Sequence, residues 1–368
     1  MRSDPARASL WLAVFCSLTV VLPACQASQE RFATETADAQ VMARTTATNT
    51  PSGELLLIDG DPVRQIFIAS TDGPALYALT DEWLYRNESN EWVPTNTPAD
   101  DRSILVDPSR PERLFRGNHP VCSDESPGEP ITFSKSTDGG NTWRAIPGGD
   151  NIQPLVIDPT LGDVIYGSDC GLAISTDAGE TWRAYYHSQG YTVVDAAVAG
   201  ERLLVLDISV TGSGRIREIN VTVPANPEIV NVLFETGRVF DMDASPQRIV
   251  IGGAEGVAFS VDSGDTWTTS RNGLEDVTVE SNRDLPPLGA VDEAPAFGVL
   301  AVRLDPLNTD RIFAGTVRGL YISQDAGLNW DKYSRVDLDA RVLNIQFAAG
   351  GNDIYITTPD GVLIVPNP

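Results

Sequence analysis

Histidine and lysine are almost missing from this chain of 368 residues, which holds only His119 and His187, Lys135 and Lys332. Two imidazoles exclude the multi-histidine centre of a di-zinc hydrolase. Positive charge of any kind is scarce, with 26 Lys+Arg against 51 Asp+Glu, a net charge of −25 and a pI near 4.3. A field of that sign repels phosphate backbones and excludes a nucleic-acid partner. The one long apolar run, Ala8 to Leu22, is short of the roughly 20 residues that cross a bilayer. What the chain has in quantity is turn chemistry, 31 Gly and 25 Pro, which favours many short strands over long helices. The length suits one large domain or two ordinary ones, with a sizeable core either way.

The first residues read as an address. Arg2 and Arg7 precede the apolar run, and Leu22-Pro23-Ala24-Cys25 closes it. This segment resembles a bacterial lipoprotein signal with its lipobox, which implies cleavage after residue 24 and lipidation of Cys25. An ordinary secretory signal or a short membrane anchor is the alternative, and each predicts export. The expected location is the outer side of the cytoplasmic membrane or the outer membrane. Residues 25–53 are rich in Ala, Thr, Ser and Gln without apolar periodicity, and read as a flexible tether. Residues 54–368 remain for one globular domain.

A repeat organises that domain. The octapeptide Ser136 to Trp143 (STDGGNTW) recurs as Ser175 to Trp182 (STDAGETW) and Ser260 to Trp267 (SVDSGDTW). A fourth copy, Ser323 to Trp330 (SQDAGLNW), replaces only the threonine, and Tyr85 to Trp92 is a degenerate fifth. Four positions carry the pattern: Ser136, Asp138, Gly140 and Trp143, then Ser175, Asp177, Gly179 and Trp182. Ser260, Asp262, Gly264 and Trp267 follow, then Ser323, Asp325, Gly327 and Trp330. The aspartate is expected to accept backbone N–H groups across a tight turn, with glycine in a conformation that side chains avoid. The threonine is expected to start the next strand, and the tryptophan to pack beneath the turn and bond back to it. The same order of short apolar strands surrounds each copy, and self-similarity at this period marks a repeat architecture.

The octapeptides resemble the Asp box of the BNR (bacterial neuraminidase) repeat family. That resemblance implies an all-β, sialidase-like β-propeller with Asp-box turns on the face opposite the ligand site. Seven strand units are expected, with six or eight as alternatives. Unit 4, Thr192 to Glu235, keeps its strands but lacks the box, and unit 7 has only three strands. The spare run Leu55 to Ile58 is the expected fourth strand of unit 7, a 3+1 closure that removes the open edges of a linear array.

Alignment of the innermost strands supplies candidate ligand-binding residues. Arg64, Arg102, Arg238 and Arg341 each lie two residues before an apolar position, with Gln153, Thr192 and Leu300 there in the other units. In a propeller these ring one mouth of the channel, where forked donors suit a carboxylate, sulfate or phosphate. The alternative is pairing with neighbouring acids such as Asp100, Asp101 or Asp243. Tyr186, His187 and Tyr191 lie on the same face, to stack on sugar rings or cover a blade edge; a tyrosine beside a carboxylate is also a glycosidase nucleophile. Cys122 and Cys170 fall in corresponding connections of adjacent units, which in an exported protein predicts a disulfide. Long acidic connections at Gly117 to Pro130 and Arg271 to Phe297 suit partner contacts, but no calcium-loop spacing occurs. No metal site or cofactor is expected, with Ca²⁺ the one alternative.

The family includes sialidases, xyloglucanase-type glycoside hydrolases, sortilin-like receptors and photosystem assembly lipoproteins that use an arginine patch to bind a protein. The resemblance therefore specifies fold more than activity. The chain carries no Arg-Ile-Pro motif and no Tyr/Glu pair that a motif can place. The expectation is a lipid-tethered, monomeric propeller that binds a protein or glycan outside the cytoplasm. An exo-acting glycoside hydrolase and an assembly factor for a membrane complex are the alternatives.

Overall fold

The computed structural model describes residues 55–71, 73–89, 91–100, 102–118, 122, 132–186, 190–279, 297–348 and 350–368. All lie in the compact unit that runs from Arg44 to Pro368. Cys25, His119 and His187 fall outside the described residues. Among those described there is no helix, so none is long and apolar enough to cross a membrane.

Antiparallel strands follow one another in chain order. A small hairpin of β1 (Leu57–Ile58) and β2 (Asp61–Pro62) comes first. The first four-stranded sheet holds β3 (Gln65–Thr71), β4 (Gly73–Leu79), β5 (Trp83–Glu88) and β6 (Glu91–Pro98). The second holds β7 (Ser103–Val106), β8 (Leu114–Gly117), β9 (Thr132–Ser136) and β10 (Arg144–Asp150). The third holds β11 (Gln153–Ile157), β12 (Ile165–Ser168), β13 (Leu172–Ser175) and β14 (Arg183–Tyr186). A seven-stranded sheet follows, formed by β15 (Tyr191–Ala199), β16 (Arg202–Ser209), β17 (Ser213–Asn220), β18 (Glu228–Ala244), β19 (Ile249–Gly253), β20 (Gly256–Ser260) and β21 (Thr268–Ser270). Four strands come next: β22 (Val299–Asp305), β23 (Asn308–Thr316), β24 (Gly319–Ser323) and β25 (Asp331–Lys332). The last sheet has three, β26 (Asn344–Phe347), β27 (Asp353–Thr358) and β28 (Gly361–Pro366).

The long β18 explains the seven-stranded sheet. Up to Arg238 it pairs with β17, and from Val239 onward with β19, so one strand is the outer edge of one blade and the inner edge of the next. Innermost strands touch in succession, β3 to β7, β11, β15, β18, β22 and β26, and β26 returns to β3. The chain is thus an all-β propeller, with five sheets of four or more strands. Its core is divided to match: each apolar cluster is shared between strands of neighbouring blades, as where Phe115 and Phe133 meet Ile157 and Ile165.

At the chain ends Leu55 bridges Leu363 and the Leu56 N–H donates to the Val362 carbonyl at 2.7 Å. The expected fourth strand on β28 is therefore shorter than Leu55 to Ile58. Asp59 and Gly60 both take positive φ, 54° and 95°, and this Asp-Gly turn folds Leu57 and Ile58 back onto β2 instead.

The four octapeptides form equivalent turns between the third and fourth strands of their blades. In the first, the Ser136 hydroxyl donates to Asp138 Oδ1 at 2.8 Å and accepts the Gly140 N–H at 2.9 Å. Asp138 then accepts both the Thr142 N–H and its hydroxyl, at 2.8 and 2.6 Å. Asn329 preserves both bonds to Asp325 through its own N–H and its side-chain amide, 2.9 and 2.7 Å, which explains why the fourth copy dispenses with threonine. The hydroxyl of Thr266 holds the Asp262 carboxyl below its ordinary range, and Thr142 does the same for Asp138. Strands resume only after the tryptophan, at Arg144, Arg183, Thr268 and Asp331, so threonine belongs to the turn and not to the next strand.

These turns also join blades. A Cβ on Gly179 would lie 3.0 Å from Phe133, on Gly264 2.8 Å from Leu233, and on Gly327 2.8 Å from Phe259, each on the preceding blade. Trp267 and Trp330 bond back to the carbonyls of Gly264 and Gly327, both at 3.1 Å. Trp143 instead reaches Thr97 on the first sheet at 2.7 Å.

Candidate functional site

Antiparallel order puts the repeated turns on one face of the ring. The starts of innermost strands, the second-to-third-strand connections and the ends of outer strands lie on the other. Arg64 stands just before β3 and is already engaged: Nε and Nη2 grip both oxygens of Asp81 at 2.8 Å, and Nη1 reaches the Pro359 carbonyl at 2.9 Å. Arg102, before β7, makes an ion pair with Asp100 at 3.4 Å. Arg341, before β26, is half-buried, with no ion pair to any described residue. Arg238, at the crossing point within β18, lines a pocket of about 220 Å³ with Arg271, Glu255, Thr236 and Ser270. Arg64, Arg102 and Arg341 do not line that pocket.

One register differs from the sequence alignment. Val299 pairs with Thr316 just before the Gly319 turn, as Val239 pairs with Gly253 before Gly256. The counterpart of Arg238 in that blade is therefore Gly298, not Leu300. Phe240 on β18 and Leu300 on β22 both sit on a bulge at this register, so the apolar counterpart of Phe240 is Leu300 and not Val302.

Tyr186 and Tyr191 take part in a buried polar cluster between the third and fourth blades. Tyr186 donates its hydroxyl to Asp207 Oδ1 at 3.2 Å, and Arg217 lies over its ring, 4.7 Å from the centroid. Arg215 stacks on Tyr191 at 3.6 Å. Both guanidinium groups pair with Asp207, whose side chain is 1% exposed, at 2.9 and 2.6 Å. Burial, then the negative charge of Asp207, push the Tyr186 phenol well above its ordinary pKa, so it stays protonated at neutral pH. That environment opposes a phenolate nucleophile.

Sequence reasoning missed a charged group in the central channel. A cavity of about 650 Å³ is lined by Asp195 from β15, Asp241 and Asp243 from β18, and Arg303 from β22, among apolar residues that include Val156 and Met242. The innermost strands β11, β15, β18 and β22 carry bulges at one register, around Leu155, Val194, Phe240 and Leu300. The residues that follow the first three are Val156, Asp195 and Asp241, all on the cavity wall, as bulges that re-aim side chains would place them. Arg303 pairs with Asp241 at 2.6 Å and donates to the Val302 carbonyl at 2.6 Å and to Asn344 at 3.3 Å. Asp241 also accepts the Val302 N–H, and Asp243 the Leu304 N–H, both at 2.8 Å, which ties β18 to β22.

Asp195 has no such tie. Among the described residues its carboxylate accepts only the N–H of Ala196, at 2.8 Å. Burial, with the negative charge of Asp241 second, pushes its pKa up to about 7. Burial also raises Asp241 and Asp243. At Arg303 burial acts to lower the pKa, but Asp241 and the other two carboxylates outweigh it and hold the guanidinium charged. The signal was present in the sequence: charged residues interrupt the apolar runs Val193 to Val198, Val239 to Met242 and Ala301 to Leu304. Only the ring shows that the interruptions face one space.

Cys122 and Cys170 form a disulfide with Cα atoms 5.5 Å apart, which joins the β8–β9 connection to the β12–β13 turn. Among the described residues no group of three or more His, Cys, Asp or Glu side chains is arranged to hold a metal ion.

No protein-family model and no curated protein matches the chain. Solved structures do. One of YCF48 bound to a D1 peptide is 16% identical, with a TM-score of 0.57 over 88% of this chain and 100% of that one. YCF48 from Cyanidioschyzon merolae is 15% identical, with a TM-score of 0.50 over 84% and 96%. The extracellular domain of the putative hybrid two-component system BT4673 from B. thetaiotaomicron is 12% identical, with a TM-score of 0.54 over 87% of this chain and 40% of that one. At these identities the likeness shows the fold.

Proposed function

We propose that the chain is a seven-bladed propeller of the Asp-box type that binds a protein partner through the face opposite its repeated turns. Seven innermost strands in ring contact, and seven apolar clusters between neighbouring blades, support the blade count. Export and lipid attachment at Cys25 complete the reading: a monomeric body held by its tether outside the cytoplasmic membrane or at the outer membrane. The observation that carries the binding role is the pocket on this face, where Arg238 and Arg271 meet Glu255, Thr236 and Ser270. Guanidinium groups beside a carboxylate and hydroxyls offer both donors and acceptors to the polar groups of a peptide. The YCF48 structure solved with a D1 peptide shows that a propeller of similar fold and length takes such a ligand.

Detergent extraction of the full chain from its native envelope, with crosslinking and identification of co-purified proteins, tests this reading. A stable protein partner lost on Arg271→Ala supports it. Turnover of fluorogenic sialosides, or saturable binding on a glycan array without any protein partner, would overturn it in favour of a glycoside hydrolase or a glycan receptor.

A further inference from the structure

The octapeptide that unit 4 lacks leaves a space against the third blade. Gly327 of the sixth blade packs on Phe259, the residue just before the octapeptide of the fifth. The equivalent residue of the third blade is Ile174, just before Ser175, but the fourth blade has no such glycine turn to set on it. The connection between β17 and β18, Val-Thr-Val-Pro-Ala-Asn-Pro at 221–227, stands there instead. It is fastened to β14: Arg183 Nη1 donates to the Ala225 carbonyl at 3.2 Å and the Tyr185 hydroxyl donates to the Pro227 carbonyl. Within the turn the Asn226 N–H donates to the Val223 carbonyl at 2.8 Å. Between turn and blade remains a cavity of about 230 Å³ walled by Ile174, Trp182, Tyr185, Pro224 and Pro227.

The polar groups around this cavity are biased towards donors. No carboxylate lines it, whereas Arg183, Asn226 and Thr176 do, all exposed. Apart from the bond of Arg183 Nη1, their side chains donate to no described residue. Thr181 has its hydroxyl on Asp177, and three carbonyls of the turn are already bonded. A ligand that fits is apolar in body, rich in acceptors and poor in donors. We propose that the cavity is a docking site for a proline-containing segment of a protein partner in the polyproline II conformation. Proline has an apolar ring and no N–H, and polyproline II has no internal hydrogen bonds, so its carbonyls are free to accept. Such segments dock in aromatic-lined grooves with little conformational entropy left to lose. An extended strand would bring N–H donors, and a sugar ring hydroxyl donors, to a site short of acceptors. The cavity is smaller than the roughly 300 Å³ and upward of common ligand pockets, so it takes a proline ring and not a larger group. Val223 and Ile229, 58% and 45% exposed on either side of the turn, extend the apolar surface for the flanking residues. The site lies where the repeated turns lie, away from the pocket of Arg238, and does not rest on that pocket.

The test is isothermal titration calorimetry of the full chain with a capped, uncharged oligoproline of about nine residues, three turns of polyproline II, and a glycine-serine peptide of equal length as control. Saturable binding of the oligoproline, absent for the control, is expected. Asn226→Ala should weaken it about fivefold, the size of one neutral hydrogen bond, and Arg183→Ala at least about tenfold, because a charged donor is lost. Thr176→Trp, which fills the cavity from an exposed position, should abolish binding with the midpoint of urea unfolding unchanged, which separates a blocked site from a misfolded chain. No saturable binding of oligoproline, equal binding of the control, or wild-type affinity in Thr176→Trp would each overturn the proposal. Partner capture that depends on Arg271 in a chain without oligoproline binding refutes this site and leaves the binding-module reading standing.

Discussion

Asp195→Asn should make the protein more stable, and only above acid pH. The carboxyl's pKa rises from an ordinary 3.8 to about 7 in the fold, so over that interval the native state holds a proton that the unfolded chain has released. Stability therefore declines as pH rises from about 4 to 7, and the full penalty is present above 7. A tenfold difference in proton affinity between the folded and unfolded chain is worth about 1.4 kcal/mol, so the penalty at pH 8 approaches about 4 kcal/mol. Asparagine removes the charge, keeps an oxygen for the Ala196 N–H, and relieves Asp241 of a neighbouring negative charge. Urea unfolding of both proteins at pH 4, 6 and 8 reads the effect. A gain of about 2–4 kcal/mol at pH 8 that vanishes near pH 4 is expected. An equal gain at all three values would trace the effect to packing, and a loss of stability at pH 8 would refute the electrostatic account of the channel.

Three further outcomes follow from the geometry. Gly327→Ala places a Cβ 2.8 Å from the Phe259 ring at a φ of 99°, and should cost about 2–3 kcal/mol by urea unfolding, whereas Ala326→Gly beside it should be nearly neutral. Asp207→Ala strips the carboxylate from between Arg215 and Arg217 and should lower stability by about 3–5 kcal/mol, visible as a large drop in melting temperature. Reduction of the Cys122–Cys170 disulfide, which spans 48 residues, should cost up to about 4 kcal/mol in the chain-entropy model, read as the difference between oxidised and reduced melts.

Much of the fold was legible because its determinants are local. Ser, Asp, Gly and Thr at fixed offsets satisfy one another within eight residues, so each octapeptide announces a turn wherever it stands. Short alternating runs between those turns can only be strands, and the resemblance then supplied the ring. Departures came where a single residue changes register. The Asp59-Gly60 turn diverted part of the closing strand, and on β22 the apolar run hid which residue, Leu300 or Val302, takes the bulge that Phe240 takes on β18, an offset of two positions. A bulge has no composition of its own, since its cause is the fit between neighbouring strands.

The candidate sites divide along the same line. By itself the sequence determined that the chain is acidic, that it repeats, and that arginines stand at the head of several innermost strands, because charge and spacing are properties of the chain. What an arginine faces is a property of the ring: Arg64 is latched to Asp81 and to a carbonyl 295 residues away, while Arg238 and Arg271 line one pocket with Glu255. Tyr186 could be recognised as an aromatic near a connection, but only packing turned its hydroxyl onto Asp207. Asp195, Asp241 and Arg303 lie far apart in sequence, on strands of three different blades, and closure of the ring set their charges around one channel. There the desolvation of each charge depends on all the others, a sum over distances that exist only in the folded chain.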